Sequence, residues 1–169
     1  MAAQRFSARS PVESSVPSAA SGVYGDIAVA YVYDGDTIKL ADGEKVRLIG
    51  IDTPESSQNK KLFRDAERSG EDVNRILAMG RKAAVHTRGL LDGRRVRLEF
   101  DIERRDKYGR LLAYVYRLDD GLFINQEIIS SGYAYPMTIP PNIRYADEFR
   151  KLFREAQEAG RGLWAISSE

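Results

Sequence analysis

The sequence predicts a mainly β domain with helices, of the α+β class. Two observations carry that expectation. Five short runs rich in β-branched and aromatic residues are bounded by turn residues, and three further stretches carry apolar residues at helical spacing. The 169 residues, 43% of them hydrophobic, suffice for one domain with a core of its own, since single domains commonly run about 100–200 residues.

Residues 1–22 are rich in Ser, Ala and Pro and lack periodicity, so they read as a disordered tail, with the folded domain expected over 23–166. Ile27–Tyr33 alternates as a strand, and Asp34-Gly35 turns it into Thr37–Leu40. Asp42-Gly43 makes a tight hairpin into a third strand, Lys45–Ile51. Residues 55–71 mix charges with Ser, Asn and Gln and read as a long, exposed, mobile loop. Val73, Ile76, Leu77, Gly80, Ala83, Ala84, Thr87, Leu90 and Leu91 then fall on one helical stripe. His86 lies off that stripe and reads as solvated surface. Asp92-Gly93 leads into a fourth strand, Arg94–Phe100, and a polar loop over 102–109 leads into a fifth, Leu111–Arg117. A short helix is expected over Asn125–Ser131, capped by Asn125 and stopped by Gly132. A last helix runs from Arg144 to Ala159, with Gly160 as its stop and Trp164 packing behind it. Five strands with a helix between the third and fourth match a five-stranded Greek-key barrel of OB type plus three helices, though the pattern alone leaves a sandwich open.

The composition excludes several chemistries. Without cysteine there is neither a disulfide nor a thiolate metal site, and a single histidine excludes any site built on a His pair. No stretch approaches the roughly 20 apolar residues of a membrane span, and no apolar run near the N-terminus marks a signal peptide. Net charge is only +1, from 26 basic and 25 acidic residues, so global electrostatics give no argument for nucleic acid. Residues 44–110 carry 17 Lys/Arg against 12 Asp/Glu, which permits a positive face without requiring one.

Four segments bear chemistry: Asp34-Gly35-Asp36-Thr37, Arg47, Asp52-Thr53-Pro54-Glu55 and Asp106-Lys107-Tyr108-Gly109-Arg110. Carboxylates at strand ends offer the oxygen donors that a hard divalent cation prefers. Arg47 and Arg110 carry permanent planar charges suited to phosphate. Each segment also has an ordinary reading: a turn, a strand stop, a loop with solvated charges, or in the case of Arg47 a surface partner for Glu44. Their joint order and spacing is what those readings leave unexplained.

That order, Asp-Gly-Asp-Thr, then Arg-Leu followed by Asp-Thr-Pro-Glu, then Asp-Lys-Tyr-Gly-Arg, resembles the signature of the staphylococcal nuclease (thermonuclease) family over about Ala28 to Trp164. The resemblance implies Ca²⁺ held by Asp36, Asp52 and the Thr53 carbonyl, with Glu55 orienting or activating the attacking water. It implies Arg47 and Arg110 on the scissile phosphate, and Lys107 and Tyr108 on a neighbouring one. It further implies DNA and RNA substrates, unpaired or flexible strands by preference, and 3′-phosphate and 5′-hydroxyl products. A monomer, secreted or periplasmic, is expected on the same footing. The family archetype has a tyrosine pair shortly before a Pro-Asn, for which only Tyr133 or Tyr135 can stand in. The alternative is a catalytically silent nucleic-acid or protein-binding module on the same barrel, which would have no need to keep Asp36, Arg47, Asp52, Glu55 and Arg110 together.

Overall fold

The structure, a computed structural model, describes residues 24–165, so the expected tail over 1–22 and the expected domain limits lie outside the described residues. Five strands close a barrel in the order β1 (Ile27–Asp34), β2 (Thr37–Leu40), β3 (Lys45–Leu48), β6 (Leu111–Arg117) and β5 (Arg95–Glu99). All neighbours are antiparallel except β3 and β6, which run parallel with Arg47 opposite Leu112. Closure comes from β1 against β5, where Ile27 faces Val96. A closed barrel leaves no unpaired sheet edge, which resolves the barrel-or-sandwich alternative. Alternation does the rest: Val32, Ile38, Leu40, Val46, Leu48, Val96 and Val115 point inward and are buried. Each such aliphatic side chain contributes on the order of 1.5–3 kcal/mol by leaving water.

The third predicted strand, Lys45–Ile51, is in fact two. Gly50 has φ +83°, and a Cβ there would stand 2.6 Å from the ring of Phe149, so only glycine suits this bend. Past it the chain leaves the barrel as β4 (Gly50–Asp52). It pairs instead with β7 (Tyr135–Met137), Asp52 opposite Tyr135. The residue that ends β4 is thereby braced from outside the barrel.

Three helices appear where periodicity places them: α2 (Val73–Leu91), α3 (Ile124–Ser130) and α4 (Ala146–Glu158). A fourth, α1 (Lys60–Ser69), corrects the expectation of a mobile loop over 55–71. Asn59 caps it by accepting from the Leu62 N–H at 2.9 Å, and Gly70 ends it in the left-handed conformation. Leu62 is fully buried against Ile76 and Leu77 of α2. That contact supplies what a mostly charged and polar ten-residue segment lacks on its own.

Asn125 also departs from its expected role. It is not the cap of α3, because Phe123 holds that position without a side-chain bond. Asn125 is instead fully buried. Its Oδ1 accepts from the Val115 N–H at 2.9 Å, and its Nδ2 donates to the carbonyls of Ile49 and Ala113. The Val115 N–H and the Ile49 carbonyl are otherwise open where the chain turns away at Ile49, whereas the Ala113 carbonyl also accepts from the Ile49 N–H at 3.0 Å.

His86 is likewise not solvated. It is half-buried on α2, its ring stacked on Tyr133 at 4.2 Å, and its Nε2 is buried with no partner among the described residues. Trp164 packs edge-on against Tyr135 and Phe153, as a packing residue should.

Candidate active site

Two tight segments, neighbours where the start of β2 pairs with the end of β3, meet at α2. The turn after β1 presents Asp36, and the Thr87 hydroxyl of α2 holds that turn by donating to the Gly35 carbonyl at 2.8 Å. The chain leaving β4 presents Asp52, Thr53 and Glu55. It lies flush on α2 at Gly80, where a Cβ would come within 2.1 Å of the Glu55 carbonyl oxygen. One helix thus fixes both carboxylate-bearing loops.

Asp36 ties the loops to one another. Its Oδ2 accepts from the Thr53 N–H at 2.9 Å and the Thr53 hydroxyl at 3.1 Å, and its Oδ1 accepts from the Thr37 hydroxyl. Arg47 projects from β3 into the same place. Its Nη1 donates to the carbonyls of Leu48 and Ile51 at 2.9 and 2.8 Å. Its Nη2 lies 3.1 Å from Asp52 Oδ1 and 3.4 Å from Asp36 Oδ2. Four oxygens around one guanidinium leave it a single orientation. The surface pairing of Arg47 with Glu44 is absent, for Glu44 pairs with Arg105 at 2.9 Å.

Lys61, from the first turn of α1, completes the cluster. Its Nζ lies 3.1 Å from Asp52 Oδ1 and 2.8 Å from Glu55 Oε1. Sequence reasoning missed it, together with Asn59, whose Nδ2 donates to Glu55 Oε2. The available signal was Asn59 as a cap ahead of Leu62 and Ala66 at helical spacing.

The carboxylates outnumber their counter-charges. Asp34, Asp36, Asp52 and Glu55 face only Arg47 and Lys61. Burial first, and the charge of Asp36 second, push the Asp34 carboxyl up to about 7. Burial likewise raises Asp52 above the usual carboxylate range, against the pull of Lys61. Burial works against the charged form of Asp36 as well, yet the charge of Arg47 and the bonds it accepts hold its carboxyl below its ordinary value. Burial works against the Lys61 ammonium too, but Asp52 and Glu55 overcome it and raise its pKa.

A cluster short of positive charge and made of oxygen donors suits a hard divalent cation. Asp52 Oδ2 accepts from nothing among the described residues, and Asp36 Oδ1 has one partner only, so both retain open lone pairs. Among the described residues no three Asp, Glu, His or Cys side chains surround a common point. The third donor that the resemblance implies is a backbone oxygen, the carbonyl of Thr53, which directly follows Asp52 in sequence. On that donor chemistry Asp36, Asp52 and Thr53 fit such an ion.

Arg47 also lines a groove of about 530 Å³, a volume within the ordinary range of ligand-binding clefts. Lys107, Tyr108 and Arg110 line it from one side, with Leu48, Leu112, Met137 and Ile139 as its apolar part. Asp106 builds the cationic side. It accepts from the N–H groups of Tyr108 and Arg110 and pairs with Arg110 Nε at 2.7 Å. The terminal nitrogens of Arg110 have no partner among the described residues. The Tyr108 ring is 72% exposed and sits between Lys107 and Arg110, 5.1 and 5.4 Å from their cations. Asn142, buried, clamps the far rim by exchanging two 2.8 Å bonds with the Glu103 backbone.

The structure thus brings Asp36, Arg47, Asp52, Thr53 and Glu55 into one cluster, and Lys107, Tyr108 and Arg110 into the adjoining groove, with Arg47 common to both. Neither substitute for the tyrosine pair lines the groove. Tyr133 stacks on His86, and Tyr135 packs on Phe153 and Trp164.

The family model described as staphylococcal nuclease homologue matches residues 45–166. The thermonuclease of Staphylococcus intermedius is 37% identical over 80% of this chain and 74% of its own length. That of Staphylococcus hyicus is 31% identical over 81% of this chain and 74% of its own. Endonuclease YncB of Bacillus subtilis is 37% identical over 79% of this chain, but the match spans only 59% of that longer protein.

Proposed function

The chain belongs to the staphylococcal nuclease family, and on that footing we propose that it is a calcium-dependent nuclease. It hydrolyses phosphodiester bonds of DNA and RNA to leave 3′-phosphate and 5′-hydroxyl ends. One observation supports this above the others: Arg47 stands where the carboxylate cluster and the cationic groove meet, so a phosphate bound there touches both.

In this reading Asp36, Asp52 and the Thr53 carbonyl hold the ion, which when bound neutralises phosphate charge and brings a water close to phosphorus. Glu55 orients that water and takes up its proton as the oxygen attacks. Arg47 and the free terminal nitrogens of Arg110 donate to the phosphoryl oxygens as negative charge builds on them, the stabilisation that matters most in such a reaction. Lys107 and Tyr108 carry the neighbouring phosphate along the groove. A cleft open on one side, with an exposed tyrosine at its rim, suits a flexible or unpaired strand better than a stiff duplex. We place the protein outside the cytoplasm, as a monomer, where free calcium suffices for a site with few protein ligands. End-group analysis tests the chemistry. Products of a short oligonucleotide should accept a 5′-phosphate from a kinase without prior phosphatase treatment, and products that do not would contradict the proposed bond cleavage.

A further inference from the structure

Glu55 lies on the irregular segment between β4 and α1, where a side chain ordinarily samples several rotamers, yet both its carboxylate oxygens are engaged. Asn59 Nδ2 donates to Oε2, and Lys61 Nζ donates to Oε1 at 2.8 Å. The direction of the Asn59 amide is not arbitrary. Its Oδ1 must face the Leu62 N–H to cap α1, at 2.9 Å, which turns the Nδ2 donor toward Glu55. The cap stays put because Leu62, in the same turn, is fully buried against Ile76 and Leu77. Beneath, Gly80 lets the Glu55 backbone rest directly on α2. Glu55 is therefore held by α2 through its main chain and by α1 through its carboxylate.

We propose that Asn59 and Lys61, in the first turn of α1, are positioning residues that fix the Glu55 carboxylate for its role at the phosphodiester. The inference rests on the nuclease reading. Each Glu55 oxygen keeps a lone pair free of these two donors, so the carboxylate is oriented without being consumed. Lys61 also joins Glu55 to Asp52, so the base and the ion-binding carboxylate are held at a set separation. The ordering of α1 then governs activity although its exposed face touches no reacting atom.

Asn59→Asp separates the two roles of the residue. It keeps an oxygen acceptor for the Leu62 N–H, so the cap and the melting temperature are retained, and replaces the donor facing Glu55. On single-stranded DNA the variant should lose about 10- to 100-fold in kcat with KM unchanged, and Lys61→Met should behave alike. In a Glu55→Gln background Asn59→Asp should change the residual rate by no more than about twofold, as expected for a residue acting through one partner, whereas Lys61→Met keeps the part of its loss that comes from Asp52. Wild-type kcat in both variants, or an equal loss from Asn59→Asp in both backgrounds, would overturn the proposal. A second readout needs no turnover. The Asn59 side-chain amide proton should resonate downfield in the wild type and move to the free-amide position in Glu55→Ala. A free-amide position in the wild type would overturn the positioning role even if the protein cleaves DNA. A bonded amide in a protein that cleaves nothing would instead overturn the nuclease reading on which the inference rests.

Discussion

Among single residues, the site divides into groups that act and groups that hold. In the proposed nuclease Glu55 and Arg110 belong to the first kind, and neither is part of the core. Glu55→Gln should lower kcat by about 10²–10⁴ and Arg110→Ala by about 10²–10³, with unfolding midpoints in urea unchanged; rates near wild type would remove both from the chemistry. Gly80 is of the second kind. Alanine would add up to about 1 kcal/mol of helix propensity, but its Cβ would overlap the Glu55 carbonyl, so Gly80→Ala should destabilise by about 1–3 kcal/mol. Steady-state rates should fall with it, because the loop carrying Glu55 must move. The carboxylates, guanidiniums and Gly80 were legible in the sequence because each sits in a short contiguous pattern or on a regular stripe. Lys61 was not, since one lysine in a charged run carries no local signal that distinguishes it. Asn59 was legible in principle as a cap, but its second bond, to Glu55, is tertiary.

The elements tell the same story on a larger scale. The five barrel strands and three of the helices follow from period and turn chemistry, which are local. What escaped is what neighbours impose. Alone, α1 has a single fully buried residue, Leu62, and forms because α2 offers it a surface. The division of Lys45–Ile51 into β3 and β4 depends on Phe149, a hundred residues away, closing over Gly50. Asn125 looked like a cap because local statistics favour that role, whereas three backbone groups of the barrel draw it inward. Asn125→Leu should therefore strand the Val115 N–H and the Ile49 carbonyl, at about 1–3 kcal/mol each where water cannot reach them, and lower the urea midpoint without altering helix content first. His86 gives α2 a pH dependence. Burial holds its pKa below the ordinary 6.5, with Glu127 opposing weakly, so the unfolded chain takes up the proton first. Stability on this account is fully present above pH 6.5 and declines as the pH falls through the depressed value. His86→Phe should lose less stability than the wild type between pH 7.5 and 5.5, measured by urea midpoints; parallel declines would show that His86 contributes nothing to the slope.

For the whole molecule, the nearly neutral net charge says little, because the functional field is local. A closed barrel, one helix that holds the Gly35 turn and the Glu55 backbone, and a second helix capped toward Glu55 bring two chain segments together: the carboxylates over 34–55 and the cationic loop over 106–110. Arg47 joins them. In the proposed nuclease this junction makes phosphodiester cleavage dependent on a divalent ion. The most direct measurement of that dependence is digestion of a single-stranded DNA oligonucleotide by the wild type and by Asp52→Asn, with Ca²⁺ or with a chelator. Cleavage by the wild type in Ca²⁺, abolished by the chelator and reduced by orders of magnitude in Asp52→Asn, is the expected result. Cleavage undiminished by the chelator, or an intact oligonucleotide with Ca²⁺ present, would contradict it.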